Sequence, residues 1–279
     1  MELFALSDTI GVEIQHMDLS QKISNDLWKQ LHSALLKHKV IVFRKQTLSE
    51  EDQLRFARSF GELQEVRSAK DILGKNQSIM HVANRPVKGK PGILPDGEMH
   101  FHNDQSYYEC PCKATILYSI EIPDEGGNTL FLNTAKAYAA LTNEDKKRIR
   151  GLRVHNMYDY DRNPTVQGEG YNADAPHFAH PIVIKHPETG EAALFTSRLM
   201  SHYIDGMDRE MGDAILTSLF DHSENSAFIY EHVWQVGDLV MWDNFTTQHA
   251  RTDFDPNQPR ILRRVAVAGQ RPDGYGGIA

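Results

Sequence analysis

Residues 99–107 read MHFHNDQSY and set His100, His102 and Asp104 at alternating positions. In an extended chain, side chains alternate between faces, so these three would share one. A histidine and a carboxylate two apart on one strand can bind a metal ion from one side. A second histidine from a distant strand would complete a facial two-histidine, one-carboxylate set, which leaves positions on Fe(II) open for a bidentate co-substrate and dioxygen. An HxD pair alone is a weak signal in a chain with 14 histidines. Pairing of His100 with His102 instead is chemically open.

Composition narrows the partners. The chain has 279 residues, 40% apolar and 24% charged, an ordinary balance for a soluble globular protein, and it reads as one domain over residues 1–279. The net charge of −8 argues against a nucleic-acid partner, which would need concentrated Lys and Arg. Lys146, Lys147, Arg148 and Arg150 read as the solvated face of one helix. A local cationic cluster can still take a small organic anion. Cys110 and Cys112 are too close for an ordinary disulfide and too few for a cysteine zinc site, so two reduced thiols beside a strand are expected. The N-terminus lacks a basic and then apolar leader, and no stretch is long enough to span a membrane; a cytoplasmic protein is expected.

The elements that must position such a site follow from periodicity. Residues 25–38 place Leu27, Leu31 and Leu35 on one helical face, capped by Ser24 or Asn25. Residues 39–44 (KVIVFR) read as a buried strand, and Ser49 caps a second helix that ends at Gly61. From about residue 77 short β-rich runs dominate: 114–122, 128–132, 181–185, 192–196, 238–242 and 264–268, with a turn at 186–190 (HPETG). Helices are expected at 134–150 and 207–222. Many short strands with a few covering helices predict a mainly β double-stranded β-helix, a cupin-like jelly roll. Residues 158–178 lack periodicity and form a candidate lid.

Four ordered motifs then carry a resemblance. They are His102-Asn103-Asp104, Thr129 after 24 further residues, His249 after 119 more, and Arg260 eleven positions beyond His249. Their contexts are GGNTLF around Thr129 and GDLVMWDNFTTQHA up to the distal histidine; GVEIQHMDLS and FGEL near the N-terminus match as well. The sequence resembles the TauD/TfdA-like family of Fe(II)/2-oxoglutarate-dependent dioxygenases over nearly the whole chain. That resemblance implies His102, Asp104 and His249 as Fe(II) ligands and catalytic centre. It implies Thr129 and Arg260 as partners of the distal carboxylate of 2-oxoglutarate. It implies oxidative decarboxylation to succinate and CO2 with O2 as the other co-substrate, coupled to substrate hydroxylation. An intact Asp104 favours hydroxylation over halogenation, and the family register favours His102 over His100 as ligand. A guanidinium offers a planar fork to a carboxylate, so Arg260 suits its part chemically. The alternative for Arg260 is a surface pair with Asp253 or Asp255.

On the substrate side, Arg264 lies four after Arg260, where the resemblance implies an arginine for the substrate's anionic group. A structural pair with a buried acid is the competing reading. Arg263 should face the other way and be solvated. Glu98 stands where taurine dioxygenases carry a substrate-contacting Asn, and FGELQEVRSAKD lacks their following histidine and tyrosine, so taurine is not the expected substrate. Gln105 and Tyr107 are candidates to line the pocket, with Tyr158 and Tyr160 in the proposed lid; for each tyrosine, plain packing is an equal reading. Only one of Tyr107 and Tyr108 would face the metal if they alternate in a strand. The reading is hydroxylation of a small organic acid: a carboxylate, aryloxyalkanoate, sulfonate or sulfate ester. Ether, C–S or C–N cleavage follows when the hydroxylated carbon bears a heteroatom. The alternatives are a natural-product tailoring oxygenase on the same iron chemistry and a non-redox metal-binding jelly roll. A homo-oligomer, dimer or tetramer, is expected from the resemblance.

Overall fold

The structure, a computed structural model, describes residues 1–65, 78–89, 98–158 and 175–276. Residues 159–174, which hold Tyr160 and most of the proposed lid, lie outside the described residues. Two sheets face each other. The larger has spatial order β1 (Glu2–Ala5), β2 (Val12–Gln15), β3 (Val40–Phe43), β14 (Leu239–Asp243), β6 (Ala114–Glu121), β16 (Ile261–Val267) and β4 (Met80–Ala83). The smaller runs β13 (Ile229–His232), β7 (Thr129–Asn133), β15 (Thr247–Arg251), β5 (Met99–His102). Two three-stranded sheets complete the jelly roll: β11 (Ala192–Leu194), β10 (Val183–Lys185), β17 (Asp273–Gly274), and β12 (Ser201–Ile204), β8 (Arg153–Met157), β9 (His177–Pro181). Among the named strands, only β2 and β3 pair in parallel.

The central strands of the large sheet read as continuous apolar runs because both faces are covered. In β3 and β14, Ile41, Phe43, Leu239 and Met241 turn toward α1 (Asn25–His38) and α2 (Glu50–Arg58), joining Leu31, Leu35, Leu54 and Phe56. Val40, Val42, Val240 and Trp242 turn the other way and meet Phe131 of the small sheet. The helices begin where the sequence placed them: the Ser24 side chain accepts from Leu27 N, and Ser49 and Asp52 form a reciprocal capping box. The second helix stops at Arg58 with Ser59 as its cap, three residues before Gly61.

Two expectations are corrected. The helix expected over 134–150 is two, α3 (Thr134–Ala140) and α4 (Asn143–Ile149), because Leu141 is extended and the Thr142 hydroxyl accepts from Asp145 N to start a new helix. Arg263 faces away from the small sheet as expected, yet it is buried, not solvated. That face of β16 lies under α2, and Arg263 donates to the Leu48 and Ser49 carbonyls with its guanidinium over the Tyr118 ring. The last long helix, α5 (Arg209–Ser223), packs on β12 and α3. Phe43 is fully buried between sheet and helices, with Phe56 edge-on to it. Phe43→Ala is expected to lower stability by about 3–5 kcal/mol, read as a lower urea midpoint at unchanged slope; a loss under about 1 kcal/mol would contradict this packing.

Candidate active site

β5 and β15 are neighbours, with His102 and His249 as direct cross-strand partners, so both imidazoles enter the space between the two sheets. Their ring centroids are 4.1 Å apart, and Trp242 of the large sheet covers His249 at 4.6 Å. Asp104 does not arrive by strand alternation. β5 ends at His102 and the chain turns, with Gln105 at φ 60. The turn is clamped by Asn244, which follows β14. Its Oδ1 accepts from Asp104 N, and its Nδ2 donates to the Asp104 and Cys112 carbonyls, all at 2.8 Å. Buried Asn103 answers by donating to the Asn244 and Thr247 carbonyls. Both backbone groups of the acidic residue are thereby tied to one side chain.

One ligand atom from each of His102, Asp104 and His249 lies within 4.8 Å of the others, the only such cluster among the described residues. His100 is not in it; its carbonyl sits 2.9 Å from His102 Nδ1. A proton on Nδ1 donates there and leaves the Nε2 lone pair for a metal. Burial, then the neighbouring His102, push His249 down to about 3, and burial lowers His102 as well, so both rings are neutral donors. Burial works against the charge on Asp104, but Arg264, the two histidines and the Thr115 hydroxyl together hold its carboxyl well below the usual range. Thr115 Oγ1 and Arg264 Nη2 both sit on Oδ2, at 2.6 and 2.9 Å. Two neutral imidazoles and one charged carboxylate fit a divalent first-row ion with open positions.

A cationic cluster lies along the same small sheet. Gly126 and Gly127 adopt φ 73 and 63, and a side chain at Gly126 would put its Cβ 2.3 Å from the Asp253 carbonyl. The tight turn lets Arg260 lie against the chain, where its Nε donates to the Gly127 carbonyl at 2.9 Å. Arg260 is 2% exposed, so it is no surface partner of Asp253 or Asp255. Burial, then the neighbouring Arg251, lower its pKa to about 9. Both guanidinium groups border Phe254, 5.5 and 5.9 Å from the ring centroid. Thr129 is the cross-strand partner of Arg251 on one side and of His232 on the other.

The profile of the family described as "Taurine catabolism dioxygenase TauD, TfdA family" matches residues 2–266. The chain belongs to the TauD/TfdA family. It is 31% identical to an α-ketoglutarate-dependent sulfate ester dioxygenase of Pseudomonas putida, over 99% of this chain and 92% of that one. It is 29% identical to an α-ketoglutarate-dependent 2,4-dichlorophenoxyacetate dioxygenase of Burkholderia sp. (strain RASC), over 93% and 91%. The crystal structure of a taurine dioxygenase from Burkholderia xenovorans superposes with a TM-score of 0.85 at 29% identity, covering 99% of this chain and 92% of that one. As a TauD/TfdA member with this triad, the protein is an Fe(II)- and 2-oxoglutarate-dependent dioxygenase. No helix among the described residues is long and apolar enough to cross a membrane.

The structure brings some of the remaining TauD/TfdA-derived candidates to this centre and leaves others aside. Arg264 pairs with Asp104, the competing reading for this residue; burial opposes its charge, but Asp104, Cys112 and Tyr107 together raise its pKa. Tyr107 and Tyr108 do not alternate in a strand. They sit in the turn after Asp104 with rings 4.5 Å apart, and Tyr158 packs on Tyr107 at 4.7 Å. The Gln105 Oε1 is buried without a hydrogen-bond partner among the described residues. Glu98 is exposed ahead of β5. Cys110 is exposed and Cys112 buried, both free thiols, and burial pushes Cys112 up to about 12. Sequence reasoning missed Asn244, Thr115, Arg251 and Trp234, whose indole nitrogen lies 3.0 Å from Thr129 Oγ1. Asn244 lies within a recognised motif, Arg251 directly after it and Trp234 three residues before it, but nothing in their spacing says which atoms they reach. Asn244→Ala is expected to weaken Fe(II) affinity roughly 10- to 100-fold with the far-ultraviolet spectrum retained, measured by chelator competition; wild-type affinity would contradict the clamp.

Proposed function

We propose that this dioxygenase hydroxylates a small organic anion, with His102, Asp104 and His249 holding Fe(II). Arg260 and Thr129 take the distal carboxylate of 2-oxoglutarate, and Arg264 takes the anionic group of the substrate. The observation that carries the reading is the neutral two-histidine, one-carboxylate cluster lying beside Arg264 on the large sheet, with buried Arg260 against the small one. With Fe(II) bound, such a centre supplies the oxidative decarboxylation of 2-oxoglutarate by O2 to succinate and CO2, with the second oxygen atom entering a substrate C–H bond.

The chain's own residues do the rest. Arg264 is desolvated and oriented by Asp104 before any substrate arrives, so an entering carboxylate or sulfate finds a guanidinium that needs no further dehydration. Asn244 holds Asp104 in place while Arg264 shifts its attention to the substrate. Trp242 and Phe131 line the space between the sheets and keep water from the histidines. Gln105 and Tyr107, beside Asp104 and Arg264, line the substrate side, and Glu98 stands at its approach. The relatives that act on a sulfate ester and on 2,4-dichlorophenoxyacetate support an anionic substrate. Hydroxylation at a carbon bearing oxygen, sulfur or nitrogen would give a product that collapses to a carbonyl compound, releasing an alcohol, phenol or sulfate from oxygen, sulfite from a sulfonate carbon, or an amine from nitrogen. We further propose a single catalytic domain working in the cytoplasm as a homo-oligomer, dimer or tetramer; light scattering on the purified chain reads the oligomeric state.

Anaerobic titration of the metal-free protein with Fe(II) and then 2-oxoglutarate is expected to raise a weak visible charge-transfer band that His102→Ala abolishes. Retention of Zn(II) with no response to 2-oxoglutarate would sink the reading in favour of a non-redox metal protein. For the substrate, carboxylates and sulfate esters should stimulate succinate release, and Arg264→Met should cut kcat/KM for the responding anion on the order of 100-fold. Unchanged kcat/KM in Arg264→Met would remove Arg264 from substrate binding.

A further inference from the structure

The indole N–H of Trp234 lies 3.0 Å from Thr129 Oγ1, and this is the hydroxyl's one side-chain hydrogen bond among the described residues. Indole nitrogen can only donate, whereas a hydroxyl has one proton and two acceptor lone pairs. Thr129 Oγ1 must therefore be the acceptor in this contact, and its own proton points elsewhere. No protein acceptor for that proton is found among the described residues, although Thr129 is 3% exposed and Trp234 5%. A buried hydroxyl proton without an acceptor is costly, so the site is shaped for a ligand atom that accepts.

Trp234 is itself held on both sides. His232, two residues before it, shares Asp238 Oδ2 with the backbone N–H of Gln235, the residue after it, at 3.1 and 2.8 Å. Arg44 pairs with the same carboxylate oxygen. The His232 ring meets the indole edge-on, with centroids 4.6 Å apart. The indole also packs among Val40, Val240 and Leu262 between the sheets. Its N–H is thereby aimed at Thr129 by a network that does not include the metal cluster.

We propose that Trp234 is a positioning residue for the co-substrate. By occupying one of the two lone pairs of the Thr129 hydroxyl, it turns that hydroxyl so that its proton is directed to the distal carboxylate of 2-oxoglutarate. It also sets end-group specificity, since a carboxamide presenting N–H at this position would meet a donor. The inference rests on the reading of Thr129 as a partner of that carboxylate.

The test is anaerobic calorimetry of 2-oxoglutarate, and of its 5-carboxamide, binding to the Fe(II)-loaded protein. Wild type, Trp234→Phe, Thr129→Val and the double variant are compared. Trp234→Phe should weaken 2-oxoglutarate binding about three- to ten-fold. It should also narrow the preference for the carboxylate over the carboxamide, and add nothing in the Thr129→Val background. An equal loss in both backgrounds, with the preference unchanged, would show that Trp234 acts only by packing and would overturn the inference. Wild-type affinity in Trp234→Phe with weakened binding in Thr129→Val would overturn it too, leaving the Thr129 reading intact. Wild-type affinity in Thr129→Val would overturn that reading itself. Should Trp234→Phe fail to fold, benzothienylalanine at position 234 keeps the bicyclic ring, removes the N–H, and is held to the same outcomes.

Discussion

Asp104 is a carboxylate kept charged between two sheets whose facing surfaces are largely Val, Leu, Phe and Trp, and much of the site's surroundings serves that constraint. Burying an ion costs several kcal/mol unless hydrogen bonds and a countercharge replace its water. Thr115 and Arg264 supply these to one carboxylate oxygen, and Asn244 fixes the backbone on both sides of the residue. Those partners come from β6, β16 and the end of β14, all in the large sheet, while the histidines come from β5 and β15 in the small one. The metal cluster is thus assembled across the interface of the two layers. Neither sheet alone could hold it.

The same economy appears in the cationic cluster beside Thr129. Arg251 and Arg260 are two like charges in low dielectric, and this proximity adds to burial in lowering the pKa of Arg260. In the proposed reading, the anionic end of the co-substrate would relieve that repulsion. The glycine pair ahead of Thr129 makes the geometry possible, because a side chain at Gly127 would stand 3.0 Å from the Arg260 Cδ and Nε. Here backbone permissiveness and ligand chemistry meet in a few residues of β7 and its approach.

Arg264 links the two ends of the chemistry. It sits on the metal-ligand carboxylate in this structure, and it is also the cation that the proposed substrate anion would engage. In the proposed reading its burial would spare a substrate anion the cost of dehydrating this guanidinium. Arg263, one position away, spends its guanidinium on carbonyls at the start of α2 and helps lock helix to sheet. Adjacent arginines on one strand serve separate layers because alternation sends them to opposite faces.

Much of this was legible in the amino-acid sequence. The apolar runs at residues 40–43 and 239–242, the caps Ser24 and Ser49, and the ordered motifs at His102, Asp104, Thr129, His249 and Arg260 are local or depend only on chain order. Residue type and spacing report such features directly. Other features were decided by the tertiary structure. The break at Leu141, the burial of Arg263 beneath α2, the delivery of Asp104 by a turn, and the placement of Asn244 and Trp234 all depend on segments far apart in the chain. A hydrogen bond from residue 234 to residue 129 leaves no periodic trace in either segment. The sequence by itself determined which residues can do the chemistry; the packing of one sheet on the other decided which of them share a charge, a proton or a ligand.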